Sequence, residues 1–186
     1  MNIGFALCGS FCTYEAVFPV MKELAQQHQL IPIFSFAAGS VDSRFGDARS
    51  HITEAEAICG HRVLSTIADV EPIGPKKLLD ALVIAPCTGN TLAKLAHSIA
   101  DTPVTMAAKS HLRNGRPVIL AISSNDALAG AAENIGKLLG RKHYYFVPFG
   151  QDDADGKPTS MVADFRKIPE ALAAALEGKQ LQPMLL

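Results

Sequence analysis

Five short apolar runs constrain this chain more than any other feature. Residues 3–7, 30–34, 81–85, 118–122 and 144–147 are each of strand length and apolar nearly throughout, without polar alternation. A strand of that kind needs cover on both faces, as a parallel sheet between helical layers provides. The segments between the runs have the length and period of helices. Strand and helix in repetition predict an α/β fold built on a Rossmann-like, doubly wound parallel sheet.

The helix signals are specific. Thr13 reads as the N-cap of a helix to about Gln27, with Ala16, Val20, Leu24 and Ala25 on one face and Pro19 kinking it or shifting its start. Leu92, Leu95, Ala96 and Ile99 lie at helical spacing, Asp126 caps a segment reaching Leu139, and Pro169 opens a last helix ending near Gly178. Residues 150–158 are polar and turn-rich and read as an exposed loop; residues 178–186 read as a tail available to a neighbouring protomer. All of this belongs to one domain, 1–186, because 186 residues suit a single core.

Charge and cysteine usage remove several classes of function. Seventeen basic residues against 18 acidic ones, with no dense basic run, leave no footprint for nucleic acid or an anionic membrane. Aromatics at 6%, with no Trp, offer no platform for stacked bases. No apolar run has the length of a membrane span, and Met1-Asn2-Ile3-Gly4 lacks the basic start of a signal peptide. Cys8, Cys12, Cys59 and Cys87 form no CxxC pair and no zinc-like spacing, so no metal is expected and the thiols read as reduced and cytoplasmic.

Ligands of open α/β sheets bind outside the carboxyl ends of the strands. Three segments with small polar residues follow those ends here. The first is Cys8-Gly9-Ser10-Phe11-Cys12-Thr13, where Gly9 permits close approach, the following amides face an anion, and Ser10 and Thr13 add hydroxyls. It has neither the glycine pattern of a dinucleotide fold nor the lysine of a Walker loop, so a single phosphate monoester suits it better. The second is Ser35, after the second strand. The third is Pro86-Cys87-Thr88-Gly89-Asn90-Thr91, which opens a helix and offers donors to a flavin ring. Taken singly, each has a plain alternative: a Gly-Ser turn is often only a tight connection, and Asn90-Thr91 could simply cap a helix. Taken together they point to a phosphorylated small ligand.

Residues 83–101, from Val83 through the Pro86-Cys87-Thr88-Gly89-Asn90-Thr91 turn to Ala100-Asp101, resemble the flavoprotein superfamily of homo-oligomeric FMN-binding decarboxylases and prenyltransferases. Ala107-Ala108-Lys109, Leu112-Arg113 and Arg116-Pro117-Val118-Ile119-Leu120 continue the likeness. It implies a three-layer α/β/α fold, FMN as cofactor, and Gly9, Ser10, Phe11, Thr13, Ser35, Pro86, Cys87, Thr88, Gly89, Asn90, Thr91 and Ser123 as cofactor-binding positions. Within that superfamily, Gly9-Ser10-Phe11-Cys12-Thr13, Ser123-Ser124-Asn125-Asp126-Ala127-Leu128 and the run 141–153 resemble the B-subunit family of dipicolinate synthases from spore-forming bacteria. The resemblance implies formation of pyridine-2,6-dicarboxylate during sporulation, in the mother-cell cytoplasm. The larger A subunit of the dipicolinate synthase would be the partner, and a nicotinamide could enter through it. A homo-oligomer, trimer or dodecamer, is implied as well.

The departures separate the branches. The decarboxylases carry a catalytic His where this chain has Pro72, which transfers no proton, and of their substrate motif only Asn125 remains. The prenyltransferases have an Arg where Ser123 stands. A dicarboxylate substrate calls for cations, and Lys109, Arg113 and Arg116 are the candidates, with Asn125 as donor. His111 and His143 could carry protons but read as readily as structural, Cys87 reads as a packing residue, and no catalytic acid or base is assigned. Two alternatives stand beside the main reading: a non-catalytic partner protein that keeps the fold, and an FMN-dependent decarboxylase.

Overall fold

A computed structural model describes residues 1–186. Parallel strands β1 (Asn2–Leu7), β2 (Gln29–Phe34), β3 (Ala81–Cys87), β4 (Val118–Ser124) and β5 (Tyr144–Phe146) form the sheet in the order β2-β1-β3-β4-β5. These are the five apolar runs. All seven residues of β3 are buried, as a central strand covered on both faces requires. Fully buried Phe5, Phe34, Leu82 and Ile84 each contribute roughly 2 kcal/mol of apolar burial.

The connections are α1 (Tyr14–Ala25), α2 (Phe36–Ser40), α3 (Ala48–Cys59), α4 (Ile67–Val70), α5 (Gly89–Ala96), α6 (Pro103–Leu112), α7 (Ala132–Leu139) and, after β5, α8 (Ile168–Leu176). α1 buries Tyr14, Val17, Phe18, Val20, Met21 and Leu24; of the expected face Val20 and Leu24 are buried and Ala25 is half-buried, whereas Ala16 is exposed, because the larger side chains of Tyr14, Val17 and Phe18 take the core side. α1 passes through Pro19 without a break. Asp126 begins a turn rather than a helix, and α7 starts six positions later at Ala132.

The sheet also has an antiparallel extension that the apolar runs do not announce. β7 (Met161–Ala163) pairs with the carboxyl end of β4, Ser123 opposite Val162, and β6 (Phe149–Gln151) pairs with β7. Three residues are too few for a periodicity signal. The turn between β6 and β7 holds residues 152–160; residues 151–158 are exposed, as expected of this segment, and the turn also lies beside the end of β4, where Thr159 donates to the Asn125 carbonyl. Residues 178–186 pack on the chain's own sheet. The Phe149 amide donates to the Met184 carbonyl, Leu186 donates back to Phe149, and the Gln180 side chain bonds both backbone groups of Phe146 at 2.7–2.8 Å. The edge of β6 would otherwise present unpaired groups.

Candidate functional site

β3 and β4 each run two residues further than their apolar cores, and this decides which residues face outward. Pro86 and Cys87 are strand residues, both buried; the β3–β4 register shifts between Ile84 and Cys87, where Pro86 has no N–H for the ladder. The turn proper is Thr88-Gly89-Asn90. Thr88, not Asn90 or Thr91, caps α5, its hydroxyl accepting from the Thr91 amide. Thr91 is 7% exposed and turns its hydroxyl to the Cys8 sulfur at 3.3 Å. Burial pushes the Cys8 thiol up to about 11 and raises Cys87 well above its ordinary range, so neither is a thiolate nucleophile near neutrality.

At the carboxyl rim the first turn, the Thr88-Gly89-Asn90 turn and the end of β4 converge on one cavity of about 1000 Å³. Gly9, Ser10, Phe11, Cys12 and Thr13 line one wall, Thr88, Gly89 and Asn90 the next, and Ser123, Ser124, Asn125 and Asp126 the third. Ser10 Oγ and Ser123 Oγ are 2.8 Å apart, which joins two of these walls. The amides of Gly9, Phe11 and Cys12 and those of Gly89 and Asn90 make no hydrogen bond within the chain. The amides of Ser10 and Thr13, by contrast, turn inward to the carbonyls of Cys8 and Ser10, and the Thr13 hydroxyl also donates to the Ser10 carbonyl. Thr13 therefore supports the turn more than it offers donors. A Cβ on Gly89 would stand 2.6 Å from Ser124 Oγ, and one on Gly9 would stand 3.1 Å from Ala37 Cβ, so both turns need the missing side chain.

This donor set fits an anionic mononucleotide. It is rich in free N–H and O–H groups at the start of the eight-residue helix α5, and no cluster of three metal-ligating side chains forms anywhere in the chain.

Four expected positions lie behind the cavity rather than on it: Pro86, Cys87 and Thr91, as described, and Ser35. The Ser35 amide bonds the Leu7 carbonyl and its hydroxyl accepts from Ala38 as the N-cap of α2, next to the first turn, leaving its own proton free to donate.

The basic candidates are elsewhere. Lys109 and Arg113, at the end of α6, line a separate cavity of about 410 Å³ with Arg141, Lys142, His143 and Tyr144. A crossover helix runs back to the start of the next strand, so its C-terminus belongs to the amino rim. Within one chain these cations do not meet Asn125, and the expectation that they share its site is corrected. Arg116 is structural: it bonds the carbonyl of Leu79 and pairs with Asp80 at 3.4 Å. Buried His111 donates Nε2–H to the Pro117 carbonyl at 3.1 Å, and burial lowers its pKa to about 4. It too is structural.

The residues that sequence reasoning missed arrive on two connections. Ser43, Arg44 and Phe45 follow α2, and Asp152, Lys157, Ser160 and Val162 come from the β6–β7 turn and β7. Neither segment carries an apolar period that would have placed it.

A family model described as "Flavoprotein" matches residues 1–159. The chain belongs to the flavoprotein family. Over its full length this flavoprotein is 46% identical to the B subunit of dipicolinate synthase from Bacillus subtilis (strain 168), covering 93% of that protein. The crystal structure of the dipicolinate synthase B subunit from Bacillus halodurans C superposes with a TM-score of 0.91 at 42% identity, covering 100% of this chain and 95% of that one. DmrB of Burkholderia xenovorans, solved in complex with FMN, shares the fold at a TM-score of 0.69 and 19% identity, covering 95% of each chain. The seven-stranded mixed sheet flanked by helices is thus the three-layer α/β/α flavoprotein fold. No helix of the chain is long and apolar enough to cross a membrane.

Proposed function

We propose that this flavoprotein is the B subunit of a dipicolinate synthase, an oxidoreductase that binds FMN at the carboxyl rim and works with the larger A subunit. The observation that carries the reading is the meeting of the first turn, the Thr88-Gly89-Asn90 turn and the end of β4 on one cavity, joined by the Ser10–Ser123 hydroxyl pair. The full-length similarity to two dipicolinate synthase B subunits supports the substrate class, and the family supports the flavin.

Bound FMN would supply a two-electron acceptor for the hydride lost when a dihydropyridine dicarboxylate becomes aromatic. The chain's own residues do the rest. The free amides of Gly9, Phe11 and Cys12, with the Ser10 and Ser123 hydroxyls, would hold the phosphate end. The free amides of Gly89 and Asn90 would supply further donors to the flavin. Asn125, exposed on the cavity wall, donates to a substrate carboxylate. The proton released beside the hydride has two carboxylates in the cavity to receive it, Asp126 and Asp152. Each is held by a hydroxyl, Asp126 by Ser124 and Asp152 by Ser160, and the second bond keeps Asp152 below its ordinary range.

The test is a titration of the purified full chain with FMN, followed by flavin fluorescence and visible absorbance, and then reconstitution with the A subunit and the dihydro substrate. Quenching on binding and FMN-dependent appearance of aromatic product are expected. Binding of no flavin, with product formed on nicotinamide alone, would leave the chain as a non-catalytic partner. Carbon dioxide from a carboxylated thiol would instead make it a decarboxylase.

A further inference from the structure

We propose that Arg44 is the residue that holds one carboxylate of the substrate, and so sets the preference for a dicarboxylate; the inference rests on the reading of this cavity as a dipicolinate-forming site. Two cations line the cavity, Arg44 and Lys157. Lys157 is already engaged with Asp152, its Nζ 3.3 Å from Oδ2. Arg44 pairs with no carboxylate; its guanidinium lies over the Phe45 ring, 4.8 Å from the centroid. No hydrogen bond or ion pair within the chain uses its N–H donors, and that planar fork is the group that takes a carboxylate in two parallel bonds.

The turn that carries Arg44 is braced. Ser43 and Gly46 exchange backbone hydrogen bonds at 3.0 and 3.1 Å, the Phe45 amide donates to Ser43 Oγ, and the Ala48 amide donates to Asp42 Oδ1 at 2.9 Å. Gly46 has φ +128, which a side chain rarely adopts, and an added Cβ would stand 2.7 Å from His51 Nε2. His51 is buried against the Tyr14 and Phe18 rings, with Nε2 3.3 Å from the Phe45 carbonyl. Arg44 itself is exposed, and these bonds fix the backbone from which it reaches the cavity; ordering that backbone in advance lowers the cost of binding.

The experiment titrates the full-length FMN-loaded protein with pyridine-2,6-dicarboxylate and with pyridine-2-carboxylate by calorimetry. Wild type is expected to prefer the dicarboxylate. Arg44→Gln should weaken dicarboxylate binding about 10- to 100-fold and reduce that preference. Arg44→Lys, which keeps charge without the fork, should fall between the two and covers the case in which Arg44→Gln does not fold. Lys179→Gln, an equal charge change far from the cavity, should bind as wild type does. Dicarboxylate binding by wild type with equal affinity in Arg44→Gln, or in Arg44→Lys if that alone folds, overturns the role of Arg44 and leaves the function standing. Failure of wild type to bind the dicarboxylate overturns the function and this inference together.

Discussion

Ser10 and Ser123, 113 positions apart in the chain, place their hydroxyls 2.8 Å from each other at the floor of the carboxyl-rim cavity. Each hydroxyl can accept from the other and still present a lone pair or a proton to a ligand, so the pair acts as one polar surface. Replacing Ser10 by Leu is expected to fill that floor and reduce FMN affinity more than tenfold, while Ser10→Ala costs a smaller factor. A fluorescence titration of both variants checks it; equal affinities would place the phosphate elsewhere.

Tyr14 braces the first turn from beneath. Its hydroxyl donates to the Cys8 carbonyl at 2.9 Å, a bond buried in the core and shared with the Ser10 amide. Tyr14→Phe should cost about 1 kcal/mol in urea unfolding, since the carbonyl keeps one partner. FMN affinity should fall along with it, because the turn loses one of its two anchors.

His111 makes the stability of the fold acid-sensitive. Its folded pKa is about 4 against 6.5 in the unfolded chain, so the unfolded state takes up the proton first. The neutral form favours folding fully above pH 6.5, and that contribution is lost as pH falls toward 4. The loss is about 3 kcal/mol in all. Denaturation midpoints measured from pH 7 to pH 4.5 should therefore decline, and His111→Gln, less stable at pH 7, should flatten the decline in that window.

The C-terminal residues hold the β6 edge. Removing residues 179–186 takes away four hydrogen bonds to Phe146 and Phe149 and uncovers apolar contacts of Leu181 and Met184. Roughly 2–4 kcal/mol of stability should go with them. Asp152 and Lys157, carried on the adjoining turn, should lose their fixed position. Thermal melting of the truncated chain and its dicarboxylate binding report the two effects separately.

Lys109 and Arg113 can reach the Asn125 cavity only from another protomer. A homo-oligomer is the expected state, and sedimentation should then give a multiple of the 19.8 kDa chain mass. In that assembly Arg113→Ala should weaken substrate binding without changing the mass. A monomer would leave both cations with no part in the site.

Much of this architecture is legible in the sequence, and the reason is local. A continuous apolar run such as 81–85 has no stable place except between two layers, and Gly9 and Gly89 mark turns where no side chain fits. The two short strands β6 and β7 were not legible, because three residues carry no period and their pairing depends on a free edge of β4. Within the site, the main-chain donors of the first and third turns could be anticipated, whereas Arg44 and Lys157 could not.

The sequence by itself determined the five parallel strands, several of the helices between them and the small polar turns at the strand ends, since hydrophobic period and backbone stereochemistry act over a few residues. The tertiary structure alone decided that Cys87 and Thr91 face inward, that Lys109 and Arg113 sit at the opposite rim, and that Arg44 overhangs the cavity. Those outcomes depend on where a crossover helix ends and how far a strand continues past its apolar residues. Long-range packing sets both, and no local pattern encodes them.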